Sequence, residues 1–281
     1  MRMRKLLRFS AKHKLLVVGA LLTAVTLGVA ILAPLVAPHD PYDSDLSQAF
    51  TAPSFLEGGQ TQHLLGTDYL GRDLLSRIIY SIRISWLISG ATVLVSMCLG
   101  VTLGVTAGYF GGWLDNLVMR VTDVLLAIPL ILLAITVIAV VGSGIQTLIA
   151  VIALTQWMVY ARTARGETMS LREREYIEAS LALGAKNLSV LWRHVIPNVL
   201  PSVLVLATLN LAQIIMLEAG LSYLGLGVQP PNPSLGTILT EGRNHLAAAW
   251  WYATFPGVVI IFIVMGINFL GDGLRDLLDP R

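Results

Sequence analysis

Apolar runs of about 20 residues alternate along the chain with short polar stretches. The first run, residues 15 to 37, reads LLVVGALLTAVTLGVAILAPLVA and carries no charge. A helix needs roughly 20 apolar residues to cross the hydrocarbon of a bilayer, so this run is long enough to span. A cleaved signal peptide is the competing reading, since the start is basic (Arg2, Arg4, Lys5, Arg8, Lys12, Lys14). Signal cores hold only about 7–15 apolar residues, so a retained anchor is expected. Five further spans are predicted, at Ile84 to Phe110, Leu117 to Val141, Gly144 to Ala161, Val199 to Leu224 and Trp251 to Gly271. The fold class is therefore an all-α polytopic membrane protein with about six transmembrane helices.

Punctuation between the runs refines this picture. Residues 142 to 144 (GSG) read as a tight turn between the third and fourth spans, and Pro129 predicts a kink, either packing geometry or a hinge. Between the first two spans, residues 38–83 form the longest loop. Leu74, Leu75, Ile78, Ile79 and Ile82 recur there at helical spacing, predicting an amphipathic helix lying on the membrane surface, either merely resting at the interface or serving as a gating or docking element. No internal repeat is evident, which gives an inverted-repeat secondary transporter little support.

Composition agrees: 55% of the 281 residues are hydrophobic and 13% charged, against roughly 25% charged in soluble domains. The distribution of Lys and Arg says more than the net charge of +2. With the N-terminus inside, 15 of the 19 fall on the inner side, leaving Arg72, Arg77, Arg83 and Arg243 outside. Basic residues favour the cytoplasmic side, so both termini are expected there. The organisation expected is a basic cytoplasmic N-terminus (1–14), a first anchor (15–37), an external loop (38–83), a permease core (84–271) with a cytoplasmic loop (162–198), and a cytoplasmic C-terminus (272–281).

That inner loop is unusual. Ser170 followed by Glu173 matches a capping box, predicting a helix from Leu171 to Leu183. Gly184 is a stop able to adopt the left-handed conformation, Asn187 is a cap for a second short helix, and Pro197 is its end. Ala179, Ser180 and Ala182 carry almost no side-chain bulk, which would let another backbone come close. Such a helix either docks another protein or packs on its own chain's cytoplasmic end, and physics alone leaves both open.

Few residues offer chemistry. No G-x-x-x-x-G-K-[ST] phosphate loop occurs, so ATP hydrolysis is not expected in this chain. GLSYLG places Ser222 between glycines, but Leu224 takes the last glycine slot of a nucleophile elbow. The candidate bases, His194 and His245, fall on opposite sides of the membrane in the predicted topology. No H-E-x-x-H or paired Cys/His motif marks a metal site, and the lone Cys98 gives no intramolecular disulfide. Glu218 is the one acid well inside a predicted span, with Asn210 two turns earlier on nearly the same face. Such a carboxylate faces a partner or a cavity: a substrate amine or cation in a pore, or an internal hydrogen bond.

The stretch EASLALGAKNLSVLWRHVIP resembles the cytoplasmic signature of permease subunits of binding-protein-dependent ABC importers, E-A-A, three residues, G, nine residues, I-x-L-P. Glu178 and Ala179 fit its opening, Gly184 its glycine and Pro197 its proline. Ser180 replaces the second alanine, and His194 and Ile196 replace the isoleucine and leucine. HLLGTDYLGRDLLSRIIYSIRIS, LEAGLSYLGLGVQPPNPSLG and INFLGDGLRDLLDPR are similar to the dipeptide, oligopeptide and nickel branch, and to its second, C-type permease. The resemblance implies a type I importer architecture in the bacterial cytoplasmic membrane. It also implies a second permease completing the pore, two ATPase subunits carrying ATP and magnesium, and an external solute-binding protein. No cofactor in this chain and no nucleic-acid partner are expected. The segment carrying Glu178, Ala179, Ser180, Gly184 and Pro197 would couple to an ATPase subunit. The same branch carries nickel and glutathione, and a non-transport membrane scaffold or sensor docking a cytoplasmic partner is the other reading.

Overall fold

A computed structural model describes residues 14–278, so the basic residues from Arg2 to Lys12, and Arg281, lie outside it. The described residues form helices with no sheet; one isolated bridge joins Thr67 to Asp73. Besides short pieces at Ala33–Val36, Leu46–Gln48 and Leu191–Val195, the helices are α1 (Lys14–Ile31), α2 (Leu74–Phe110), α3 (Gly112–Leu126), α4 (Leu130–Val141), α5 (Ile145–Arg172), α6 (Glu175–Ala182), α7 (Asn187–Val190), α8 (Ile196–Tyr223), α9 (Leu235–Arg243) and α10 (Trp250–Leu278). Five are long and apolar enough to cross a membrane, the fourth counting α7 and α8 as one continuous rod; a bent pair, α3 with α4, makes six.

α2 and α5 form the central pair and run parallel. Gly100, Gly104 and Gly108 recur every fourth residue, so they line one face of α2. A Cβ on Gly100 would lie 2.3 Å from the Trp157 carbonyl oxygen, and one on Gly104 equally close to that of Ala161. Small residues allow this backbone-to-backbone approach, which supplies dispersion where lipid offers no hydrophobic drive. α1 lies antiparallel along α10, with Gly19 against Leu270 and Gly273 against Leu16. One buried cluster joins α2, α5, α6 and α8 through Ile88, Tyr160, Ile177 and Val199. A second joins α2, α9 and α10 through Ile78, Ile238 and Tyr252.

Several sequence expectations are corrected. The segment from Leu74 to Ile82 is not a surface-lying helix in a loop ending at residue 83. It is the N-terminal end of α2, capped by Asp73, with Leu74, Ile78, Ile79 and Ile82 buried. The reason is tertiary: Leu74, Ile78 and Ile82 share one buried cluster with residues of α1, α8, α9 and α10, which take the place of lipid on that face. The third span is not one rod. At Pro129 the chain turns 88° between α3 and α4, and the 12 residues of α4 reach only about 18 Å, short of a bilayer core. α3 carries Asp115, which pairs with Arg165 (Oδ2 to Nη2, 2.6 Å).

In the stretch from 162 to 198, Ser170 begins nothing. α5 runs through it to Arg172, and Glu173 stands at the helix's end. The predicted helix over Leu171–Leu183 is the shorter α6, entered through Arg174 without a side-chain cap. Asn187 is a helical residue whose side chain instead accepts from the Tyr109 hydroxyl at 3.2 Å. Pro197 does not end the second helix. A π-helical stretch, Leu191–Val195, leads directly into α8. There the Ile196 N–H reaches the Leu191 carbonyl, and Asn198 Nδ2 donates to the His194 carbonyl at 2.6 Å. A proline lacks its own N–H, and the wider turn lets the helix continue past that missing donor.

Candidate functional site

α6 projects from the end of the molecule formed by the C-termini of α2 and α5. It touches the core through one residue, Ile177, which is fully buried among Tyr109, Val190, Leu191 and Val195. One apolar anchor in eight residues orients the helix and leaves the other faces free. Glu175, Glu178 and Ala179 are exposed, and Ser180 is half-buried with its hydroxyl donating to the Tyr176 carbonyl at 2.9 Å.

The turn after α6 is built by Gly184. Its φ is +87°, its N–H reaches the Leu181 carbonyl, and the Ala185 N–H reaches Ser180. These are the two reverse bonds of a Schellman motif. A Cβ on Gly184 would meet nothing within 4 Å, so glycine is needed for the backbone angle and not for space. Just beyond, Leu183 is 89% exposed and Leu188 and Trp192 are each 65% exposed. Leu188 and Trp192 belong to the rod of residues 187–223, which is apolar enough to span, so lipid can cover them. The half-buried His194 ring lies edge-on to Tyr176 at 6.1 Å, and Pro197 is exposed on the first turn of α8.

Glu218 and Asn210 are both buried on α8. Glu218 Oε2 accepts from Ser85 Oγ of α2 at 2.9 Å, and Oε1 accepts from Ser222 Oγ at 2.8 Å. Ser222 also accepts from the Val228 N–H at 3.2 Å, so the carboxylate ties α2, α8 and the loop after α8 together. Ser222 is thus committed to structure, with no histidine on it. Asn210 Nδ2 and the buried Tyr160 hydroxyl have no partner among the described residues. The structure does not join Asn210 to the Glu218 carboxylate.

A polar cluster at the opposite end escaped the sequence reading. Asp68, fully buried, accepts from Arg72 Nε at 2.6 Å and from Arg77. Arg77 also donates to Glu241 Oε2 at 3.0 Å and Tyr252 Oη at 3.2 Å. The cluster welds the loop before α2 to α9 and α10. Its sequence signal was GTDYLGRD, two acids and an arginine beside an apolar run, but the partners stand more than 160 residues away.

Comparison with known proteins fits this arrangement. Residues 100–281 match the family model for the binding-protein-dependent transport system inner membrane component. Residues 5–53 match the N-terminal TM domain of oligopeptide transport permease C. The chain is 41% identical over 263 residues to the Di/tripeptide transport system permease protein DppC of Pseudomonas aeruginosa, covering 94% of this chain and 87% of the relative. It is 39% identical over 274 residues to the Glutathione transport system permease protein GsiD of Pectobacterium atrosepticum, covering 98% and 89%. Among solved structures, the MetNI methionine ABC transporter in an inward-facing conformation superposes with a TM-score of 0.55. It is 23% identical and covers 73% of this chain and 97% of the MetNI chain, a likeness of fold.

Proposed function

The chain belongs to the family of binding-protein-dependent transport system inner membrane components, the permease subunits of ABC importers, and from that premise we propose that it forms half of a translocation pore for di- and oligopeptides. A second permease completes the pore, a solute-binding protein delivers the peptide from outside, and two ATPase subunits drive the cycle below. α6 is the coupling helix. The observation that carries this role is its geometry: one buried anchor, Ile177, holds a short helix whose residues Glu175, Glu178 and Ala179 stand free.

Peptide is the favoured cargo because relatives named for di- and tripeptides align over nearly the whole chain. The relatives named for glutathione, itself a tripeptide, share that chemistry. The test is uptake of a labelled dipeptide by membranes holding the whole transporter, with di- to pentapeptides, glutathione and nickel as competitors. Competition by short peptides is expected. Competition by nickel alone would overturn the substrate assignment. Orientation, with both termini and α6 in the cytoplasm, rests on the Lys and Arg bias. Single cysteines at Ser54 and Lys186, in a Cys98→Ser background, test it. An impermeant thiol reagent added to intact cells should label position 54 and spare 186.

A further inference from the structure

We propose that the loop at the α2 N-terminus holds a divalent d-block cation of the zinc class, ligated by His39, His63 and Asp73. One ligand atom from each residue lies within 4.8 Å of the other two. Tetrahedral zinc with bonds of about 2.0–2.2 Å needs ligand atoms on the order of 3.4 Å apart, within reach of small side-chain rotations. The three residues are 24 and 10 positions apart in the chain, so no sequence motif announces them.

What separates this cluster from a chance group is how its outer atoms are held. A metal-bound histidine typically donates its second ring N–H to a carbonyl or carboxylate, which sets the tautomer. His39 Nε2 lies 2.8 Å from the Gln62 backbone carbonyl, leaving Nδ1 as the ligand atom. His63 Nε2 lies 2.8 Å from Gln48 Oε1, and Gln48 is itself oriented by donating from Nε2 to Asp45 at 3.1 Å. With Nε2 thus committed as donor, His63 Nδ1 points at Asp73 Oδ1, 2.9 Å away. An imidazole nitrogen facing a carboxylate needs a proton or a cation between the two atoms. The other oxygen of Asp73 accepts from Ser76 N and Oγ at 2.8 and 2.7 Å, so the helix cap aims Oδ1 at the site. Ser76 Oγ also accepts from the His39 backbone N–H at 3.0 Å.

These ligands open into a polar cavity of about 210 Å³ whose wall includes Asp40, Asp43 and Asp45. The acids supply a negative field that draws in a cation, and the cavity leaves room for a water as fourth ligand. Two imidazoles and one carboxylate favour zinc over magnesium or calcium, which prefer all-oxygen sites. α2 is about 55 Å long, so the cation sits at the far end of the molecule from α6. There it would clip the loop to the α2 cap. This site stands independently of the substrate and coupling assignments.

The test uses the whole transporter in lipid nanodiscs, purified through a tag without histidine and stripped with a chelator. Zinc chloride is titrated against a chromogenic chelator, and bound metal is counted by elemental analysis. Wild type should bind one more zinc per copy of this chain than His39→Ala, whose exposed position leaves folding intact by gel filtration. Gln48→Ala, which removes the orienting side-chain amide, should weaken that zinc by about 10–100-fold. Magnesium at the same concentrations should not displace it. Equal zinc content in wild type and His39→Ala would overturn the site, and displacement by magnesium would overturn the class of ion.

Discussion

Replacing Ile177 with alanine tests the coupling helix at its single attachment. The substitution removes three carbons from a fully buried side chain, worth about 2.4 kcal/mol at roughly 0.8 kcal/mol per buried CH₂. Because α6 lies at the end of the molecule, its neighbours can close over the gap, and little extra cavity cost is added. The lost anchoring raises the undocked population of α6 about 50-fold, each 1.4 kcal/mol being tenfold. Hydrogen exchange on the nanodisc complex reads this directly. Amides from Glu175 to Val190 should exchange about 50-fold faster, while those of α2 and α5 keep their protection. Substrate-stimulated ATP hydrolysis should fall in step, with the permease still inserted and assembled. Unchanged exchange over α6, or faster exchange spread through the spans, would refute the single-anchor account. Faster exchange in α6 with full stimulated hydrolysis would refute its coupling role.

Gly184→Val forces a β-branched residue to a φ of +87°. It should cost about 1–3 kcal/mol of local strain and reduce co-purification of the ATPase subunits, whereas Gly184→Asn should retain more. Gly104→Leu drives a side chain into the Ala161 backbone, separating α2 from α5; the yield of assembled complex should collapse, while Gly28→Leu, with open space around it, leaves yield unchanged. Glu218→Gln keeps one acceptor between Ser85 and Ser222, and uptake of neutral and cationic peptides should fall by the same factor; a loss confined to cationic peptides would place the carboxylate in the pore.

Hydropathy is a local property, because the bilayer acts on each segment separately through the apolar surface it presents. The sequence by itself therefore determined the crossing helices, the breaking effect of Pro129 and the left-handed turn at Gly184. Each follows from the residue's own chemistry or its immediate neighbours. Where a segment's surroundings come from distant parts of the chain, local pattern misled. Ser170 and Glu173 have the spacing of a cap, but the packing of α5 on α2 carries the helix through them. Leu74 to Ile82 have the periodicity of a surface helix, yet α1, α8, α9 and α10 share the cluster that buries that face. The glycines of GVTLGVTAG advertise a close approach without naming α5 as its partner. Arg77 with Glu241, and Glu218 with Ser85, depend on elements brought together from more than 130 residues apart. Only the tertiary structure decides such pairs, since a buried polar group takes whichever partner the packing places within about 3 Å.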